Sequence, residues 1–356
     1  MMFRACVFAV LLLTSFGLRG ESYDPNAPQK YTVLTLSAAI IDYLFLISED
    51  ELRAVTHEKG SWAPIDYPTL TSILDRNPGI SKMVPGGSGA NIIKGLAQLG
   101  EQCAIVGKIG NDEKGEFYVN SMKNLGIGLF LERGNLPTGQ AICLITPDAN
   151  RTFRTYLGAS HSLSDLPIHP EMFQEVKLFH IEGYQLVDRE LVSKALQIAK
   201  NAQVKISMAL ANTEIVRRNK EFILEILDKY VDIVFCNEKE AKALLGLPAL
   251  EACGKLASLC EVAVVTMSQK GAWVQRGAEK SFQPPMLVNV IDRTGACDLY
   301  ASGFLYGYLH GDSLDKCNWL GMLLSSYVVK RIGAEIPDPI WVEIRERIQE
   351  EGAVFD

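Results

Sequence analysis

Residues 292–303, DRTGACDLYASG, place Asp298 in the first turn of an apolar helix, directly after Gly295, Ala296 and Cys297. A helix start carries unpaired backbone N–H groups and the positive end of the helix dipole. Small residues such as Gly295 and Ala296 let an anion come close to those groups. A carboxylate in the same turn would repel a bound phosphate. It gains a purpose if it faces a hydroxyl that attacks the phosphate. It would then accept the hydroxyl proton while the N–H groups stabilise charge on the transferred group. The same acid also fits an ordinary first-turn helix stabiliser.

Other stretches offer chemistry of the same kind. GGSGAN, residues 86–91, is a second Gly-rich helix start. It lacks the Gly-Lys-Ser/Thr of a Walker A loop and the spacing of a dinucleotide fingerprint. Asn91 can donate to and accept from a hydroxyl, or serve as a helix-surface amide. In NEKEAKALLG, Asn237 and Glu240 lie three apart and share a helix face. Such a pair could hold waters around Mg²⁺; it is equally the Asn-x-x-Glu of a capping box. Asp42 stands where a strand is expected to end, the edge at which α/β sheets place ligand contacts, or is a solvated loop acid. Thr266 and Ser268, before a turn at Gly271, could meet nucleotide phosphates or belong to an ordinary hairpin.

These residues need a scaffold, and the chain offers a regular one. After a leader over 1–20 and a polar linker over 21–30, a strand is expected over YTVLTLSAAII, with Asp42 at its end. Residues 43–85 have no clean period and are expected to mix short helix and loop. GQAICLIT and RTFRTYLG flank the turn sequence PDAN and predict a hairpin. From residue 177 strands and helices alternate: KLFHI, a helix over 188–200, VKISMAL, a helix over 215–229, DIVFC, the NEKEAKALLG helix, a helix over 249–259 and EVAVVTM. Two long helices follow. Such alternation predicts a parallel sheet with helices on both faces.

Composition narrows the function classes. Of 356 residues, 48% are apolar and 29 are glycine, which fits a globular protein with a sizeable core. The net charge of −7 and the lack of a Lys/Arg-rich run speak against nucleic acid as a partner. The eight cysteines form no Cys-x-x-Cys pair, and most lie in apolar runs as buried small hydrophobes. The leader MMFRACVFAVLLLTSFGLRG resembles a signal peptide; a mis-set start codon or a short anchor fits it too. It is too short to span a membrane, and no stable membrane association is expected.

Taken in order, the motifs resemble those of the ribokinase-like (PfkB-type) carbohydrate kinases, and within them the adenosine-kinase-like bacterial branch. Gly86, Gly87, Ser88 and Asn91 match a Gly-Gly-Ser-x-x-Asn helix start. Asp292, Thr294, Gly295, Ala296 and Asp298 match Asp-Thr-Thr-Gly-Ala-Gly-Asp. GKIGNDEKG, the Asn-x-x-Glu pair and DLYASGFLYG are similar to that family as well, over about residues 31–340.

The resemblance implies an α/β domain over 31–350, with a central, mainly parallel sheet flanked by helices. It also implies a small β-sheet lid, drawn from parts of about 43–60 and 138–158. It implies ATP and Mg²⁺, and a sugar or nucleoside acceptor under the lid. Asp298 would be the catalytic base, and Gly295, Ala296 and Cys297 the anion hole. Asp42, Gly87 and Asn91 would bind the acceptor. Asn237, Thr266, Ser268, Gly271 and Thr294 would bind the nucleotide, and Glu240 would serve Mg²⁺ indirectly. ATP use implies the cytoplasm, against the export that the leader allows, and an exposed lid edge could support a homodimer.

Four departures stand out. Cys297 and Ser268 occupy glycine positions, Arg293 replaces Thr or Ser, and Ser37-Ala38 replace Gly-Asn before Asp42. They leave a second expectation open: a catalytically degraded protein of this fold that binds or regulates.

Overall fold

A computed structural model describes residues 30–355 apart from 77, 78, 80, 162 and 165. The leader over 1–20 and most of the linker lie outside the described residues. The first half of the chain runs β1 (Val33–Leu36), β2 (Ile40–Leu46), α1 (Glu49–Val55), β3 (Trp62–Pro64), α2 (Tyr67–Arg76), β4 (Lys82–Gly86), α3 (Ser88–Gln98), β5 (Cys103–Gly110), α4 (Glu113–Asn124), β6 (Gly128–Gly134), β7 (Gly139–Ile145) and β8 (Arg151–Tyr156). The second half opens with β9 (Leu178–Glu182), α5 (Arg189–Asn201), β10 (Lys205–Ala209), α6 (Thr213–Arg218), α7 (Lys220–Lys229), β11 (Ile233–Asn237), α8 (Glu238–Leu245) and α9 (Ala249–Leu256). It closes with β12 (Val262–Thr266), β13 (Ala272–Arg276), β14 (Glu279–Gln283), α10 (Ala296–His310), α11 (Leu314–Val328) and α12 (Asp338–Gly352).

The strands form a nine-stranded sheet, β14-β13-β12-β11-β10-β9-β1-β5-β6, and a five-stranded sheet, β3-β8-β7-β2-β4. The large sheet is parallel except where β13 pairs antiparallel with β12 and with β14. Neighbouring residues of one strand serve opposite cores. Leu34 and Leu36 pack with helix residues such as Leu191, Ile223 and Leu244. Val33 turns instead to Ile92, Leu96, Tyr118 and Phe304. Burial on both faces is why these strands are continuous apolar runs without polar alternation.

Chain direction across the large sheet reverses at β1. From there β5 and β6 follow on one side, and β9 to β12 on the other. That switch point, at the carboxyl ends of β1 and β9, is where an open α/β sheet leaves a crevice for a ligand.

The lid is the second sheet. Its β7–β8 hairpin holds PDAN at the turn. The expected 43–60 segment contains only part of β2 and α1; β3 and β4 lie beyond it. One lid face buries Ile41, Tyr43 and Phe45 with Leu52 of α1 and Leu70 and Ile73 of α2. The other carries Leu44, Val84, Cys143 and Ile145 against Ile332. Its edge strands, β3 and β4, are short and carry Pro64 and Pro85. Proline cannot donate to a ladder, so these edges are poor templates for strand pairing with a second chain.

Two sequence expectations are corrected. The strand expected over 31–41 is two strands in different sheets: the chain leaves β1 at Ser37 and enters the lid at Ile40. Both pieces are apolar, so periodicity shows no break, and Asp42 is the third residue of β2 rather than a strand end. The helix expected over 215–229 is α6 and α7, interrupted at Asn219. The Asn219 amide there donates to Ile215 O at 3.0 Å, the kind of local bond that competes with helix continuation. Among the described residues no helix is long and apolar enough to cross a membrane.

Candidate active site

Two adjoining cavities lie between the lid and the carboxyl edge of the large sheet. The smaller, about 200 Å³, is lined by Asp42, Gly87, Asn91, Glu182, Gly295 and Asp298 among others. The larger, about 460 Å³, is lined by Ser268, Gly271, Pro285, Met286, Val288 and Arg293 among others. Asn237, Glu240, Thr266, Cys297 and Arg151 line both. The structure therefore gathers the residues singled out in the sequence at one cleft, with the start of α10 at the junction.

Asp298 is held in place from α3. Ser88 Oγ donates to its Oδ1 at 2.8 Å, and Asn91 Nδ2 donates to its Oδ2 at 2.9 Å. Asn91 thus turns its amide toward Asp298, and its own Oδ1 is buried without a partner among the described residues. Burial raises the Asp298 carboxyl above its usual range, against the lowering influence of Asn91, Ser88, Arg151 and Lys94.

The turn before α10 is a built structure. Gly295 has φ +77°, and a methyl there would lie 2.5 Å from Ala334 Cβ, so both backbone and space call for glycine. Ala296 N–H donates to Arg293 O at 3.2 Å. Of the three residues expected in the anion hole, Ala296 is therefore already engaged. The Gly295 and Cys297 N–H groups have no acceptor among the described residues. Thr294 lines the smaller of the two cavities. Its N–H and hydroxyl donate to Asp292 Oδ1 at 2.9 and 2.8 Å, and Gly333 N–H donates to Asp292 Oδ2 at 2.9 Å. Buried Asp292 stitches the turn to the loop after α11. Cys297 is exposed in the cleft, and the protein atoms crowded around its thiol push it up to about 11.

Asn237 and Glu240 form the capping box that their spacing allows. Asn237 Oδ1 accepts from the N–H groups of Lys239 and Glu240, and Glu240 accepts from Asn237 N at 3.0 Å and Nδ2 at 2.5 Å. Glu240 nevertheless faces both cavities. Burial pushes its carboxyl up to about 7, with Asn237 and Arg151 opposing. Thr266 ends β12, and the turn after it has Ser268 at φ +54°, a left-handed conformation that suits glycine. The β12–β13 connection is thus a hairpin whose turn also lines the larger cavity. Gly87 is the N-cap of α3.

Several site residues carried no sequence assignment. Glu182 ends β9 at the switch point, accepts from Ser37 Oγ at 2.5 Å, and leaves its Oε2 buried and unpartnered among the described residues. Burial pushes it up to about 7. An acid closing an apolar strand, followed by Gly183, was the available sign. Asp42 is also pushed up to about 7, by burial first, then Asp298, Glu335 and Glu182, with Lys94 opposing. Ser88 belongs to the Gly-rich helix start, but its type alone gave it no role. Arg151 and Trp62 reach the cleft from lid strands, and Trp62 meets Tyr184 of the body with ring centroids 5.4 Å apart.

The chain is similar to a probable sugar kinase from Rhizobium etli, at 30% identity with a TM-score of 0.84 over 91% of this chain and 99% of that one. It is similar to an adenosine kinase from Sinorhizobium meliloti, at 32% identity and a TM-score of 0.83 over 89% and 99%. A cytidine kinase from Thermococcus kodakarensis is 27% identical over 70% of this chain and 89% of its own length. The model of the pfkB family of carbohydrate kinases matches residues 74–341, most of the domain that carries this cleft, and the chain belongs to that family.

Proposed function

We propose that the protein transfers the γ-phosphoryl group of ATP to a hydroxyl of a nucleoside bound in the smaller cavity. The observation that carries the reading is Asp298, fixed by Ser88 and Asn91 in the smaller cavity next to Cys297, which lines both cavities, and beside unengaged N–H groups of the Gly295 turn. The larger cavity takes the nucleotide. Pro285, Met286 and Val288 offer its base an apolar wall, and Thr266, Ser268 and Gly271 line the phosphate path. The acceptor lies among Asp42, Asn91 and Glu182.

Asp298 accepts the proton of the attacking hydroxyl, and its raised pKa makes it a stronger base than a solvated carboxylate. The acceptor O–P bond forms as the bond to the β-phosphate oxygen breaks, and ADP leaves. The Gly295 and Cys297 N–H groups stabilise charge on the transferred group, with Arg151 reaching in from the lid. The lid, closed by Trp62 on Tyr184, keeps out water that would compete as acceptor.

Among the described residues no three acids, cysteines or histidines gather into a metal site. Glu240, a buried carboxylate whose nearby cation is Arg151, suits Mg²⁺ that arrives on the phosphates and keeps its waters, with Asn237 beside it. When bound, the ion would neutralise phosphate charge.

Trp62, Phe153, Tyr184 and Phe235 give the smaller cavity aromatic walls on which a base can stack, which favours a nucleoside over a bare sugar. ADP formation by the purified protein with Mg²⁺ and ATP, across adenosine, cytidine, ribose and fructose, tests the reading. Turnover with a nucleoside supports it, and turnover with a sugar alone moves the acceptor class. Binding without turnover of any acceptor would favour a degraded, ligand-binding role.

A further inference from the structure

Arg151 of β8 and Arg293 of the turn before α10 both line the larger cavity. Both are half-buried, and neither guanidinium has a hydrogen bond or an ion pair among the described residues. A half-enclosed arginine ordinarily directs its five donors at a carboxylate or at carbonyl oxygens. The acids of this cavity are already engaged. Glu238 lies 3.1 Å from Lys270 Nζ, and Glu240 accepts from Asn237. Lys239 adds a further positive charge at the exposed rim. The turn fixes where Arg293 sits. Fully buried Asp292 holds Thr294 and Gly333, and Arg293 O accepts from Ala296 N–H at 3.2 Å. The backbone of Arg293 is thus tied to the start of α10. The two arginines also differ in place: Arg151 lines both cavities, whereas Arg293 lines the larger and not the smaller.

We propose that Arg293 anchors the phosphates of the donor nucleotide that are not transferred. This rests on the reading of the larger cavity as the nucleotide site. A guanidinium presents a planar fork that matches two phosphate oxygens. Transfer takes place where the cavities adjoin, beside Cys297 and Asp298. Arg151, which lines both, is placed for the group in flight. Arg293, confined to the donor side, meets the phosphates that stay with the nucleotide. Those phosphates are the same in ATP, in the transition state and in ADP. A contact to them is uniform binding, which lowers KM without raising kcat. It also holds ADP after transfer, so ADP should compete with ATP through the same residue. The Thr or Ser that Arg293 replaces in the carbohydrate-kinase motif has neither the charge nor the length for this contact, so the anchor belongs to the donor site of this chain.

Calorimetry of the full-length protein with Mg²⁺-ADP tests this without an acceptor. Arg293→Met keeps an apolar stem and removes the charge. It should weaken Mg²⁺-ADP binding about ten- to a hundredfold, the loss of a charge-assisted hydrogen bond. Arg293→Lys, which keeps the charge without the fork, should fall between the two. With adenosine as acceptor, KM for ATP should rise in Arg293→Met by a factor similar to the ADP loss, with kcat and KM for adenosine within about twofold of wild type. Mg²⁺-ADP affinity within about twofold of wild type in Arg293→Met overturns the proposal. So does a matching fall in kcat, because a disturbed turn would displace the Gly295 and Cys297 N–H groups. If Arg293→Met does not fold, the wild type decides. With Mg²⁺-ADP at about ten times its Kd, modification of Arg293 by phenylglyoxal, followed by peptide mapping, should slow about tenfold; an unchanged rate overturns the proposal. A wild type that binds no Mg²⁺-ADP overturns the nucleotide reading of the larger cavity and this proposal together, whereas wild-type binding with an unaffected variant overturns this proposal alone. Where adenosine is not turned over, calorimetry decides by itself.

Discussion

Asp298→Asn separates the two roles that the helix start allows for this residue. The substitution keeps shape and removes charge. Ser88 can still donate to the retained oxygen. The new amide group would face the Asn91 amide, but Asn91 has an unpartnered Oδ1 and can turn to present it. The fold should therefore survive. If Asp298 is the base, kcat should fall about 10²- to 10⁴-fold, roughly 3 to 5.5 kcal/mol of barrier, with KM for both substrates little changed. Stability should move the other way. The folded-state pKa of Asp298 is raised, so the ionised carboxylate is a burden at alkaline pH. Its removal should raise the melting temperature near pH 8. A first-turn acid that only stabilises its helix predicts the reverse: activity kept, and about 0.3 to 1 kcal/mol lost. Coupled ADP assays and calorimetry on the same preparation decide. Activity within about tenfold of wild type, or a loss of both activity and stability, would refute the reasoning.

Other consequences follow from the same groups. Asp42, Glu182 and Glu240 are pushed from 3.8, 4.5 and 4.5 to about 7. Between about pH 4 and 7 the folded chain keeps protons that the unfolded chain has released, so these groups make stability fall as pH rises. His180, pushed down to about 3 by burial, opposes them over part of that range, one group against three. The melting temperature of the ligand-free protein should be higher near pH 5.5 than near pH 8; the opposite order would show that these carboxyls are ionised without cost. Ser268→Gly removes a left-handed serine and should add about 0.5 to 1 kcal/mol after the extra freedom of unfolded glycine is counted. A lower melting temperature would contradict this. Cys297 should be the residue alkylated by iodoacetamide in a Cys6→Ser background, slowly because its thiol is pushed up to about 11, and more slowly still with Mg²⁺-ATP bound. Labelling spread over the buried cysteines, seen by peptide mapping, would count against the cleft geometry.

The contiguous motifs carry their information locally. A Gly-rich helix start, an acid in a first turn, an Asn-x-x-Glu cap and a strand–helix rhythm each depend on neighbours within a few residues. Hence Asp298, Gly87, Asn91, Asn237 and the parallel sheet are legible in the amino-acid sequence. Periodicity could not show that YTVLTLSAAIIDY crosses from one sheet to another, because both strands are buried on both faces and read as one apolar run. Nor could it give the partners of a side chain. Thr294 turns inward to Asp292, Ala296 spends its N–H on Arg293, and Asn91 orients Asp298. Glu182, Arg151 and Lys94 owe their place to strands and helices far apart in the chain. Whether a buried charge is tolerable depends on which opposite charge the fold brings beside it. The sequence by itself determined the elements and the type of chemistry at one helix start. Only the tertiary structure decided which acids share the cavity, which cation answers them and how the lid closes over it, because those are long-range contacts and the shared loss of water around them.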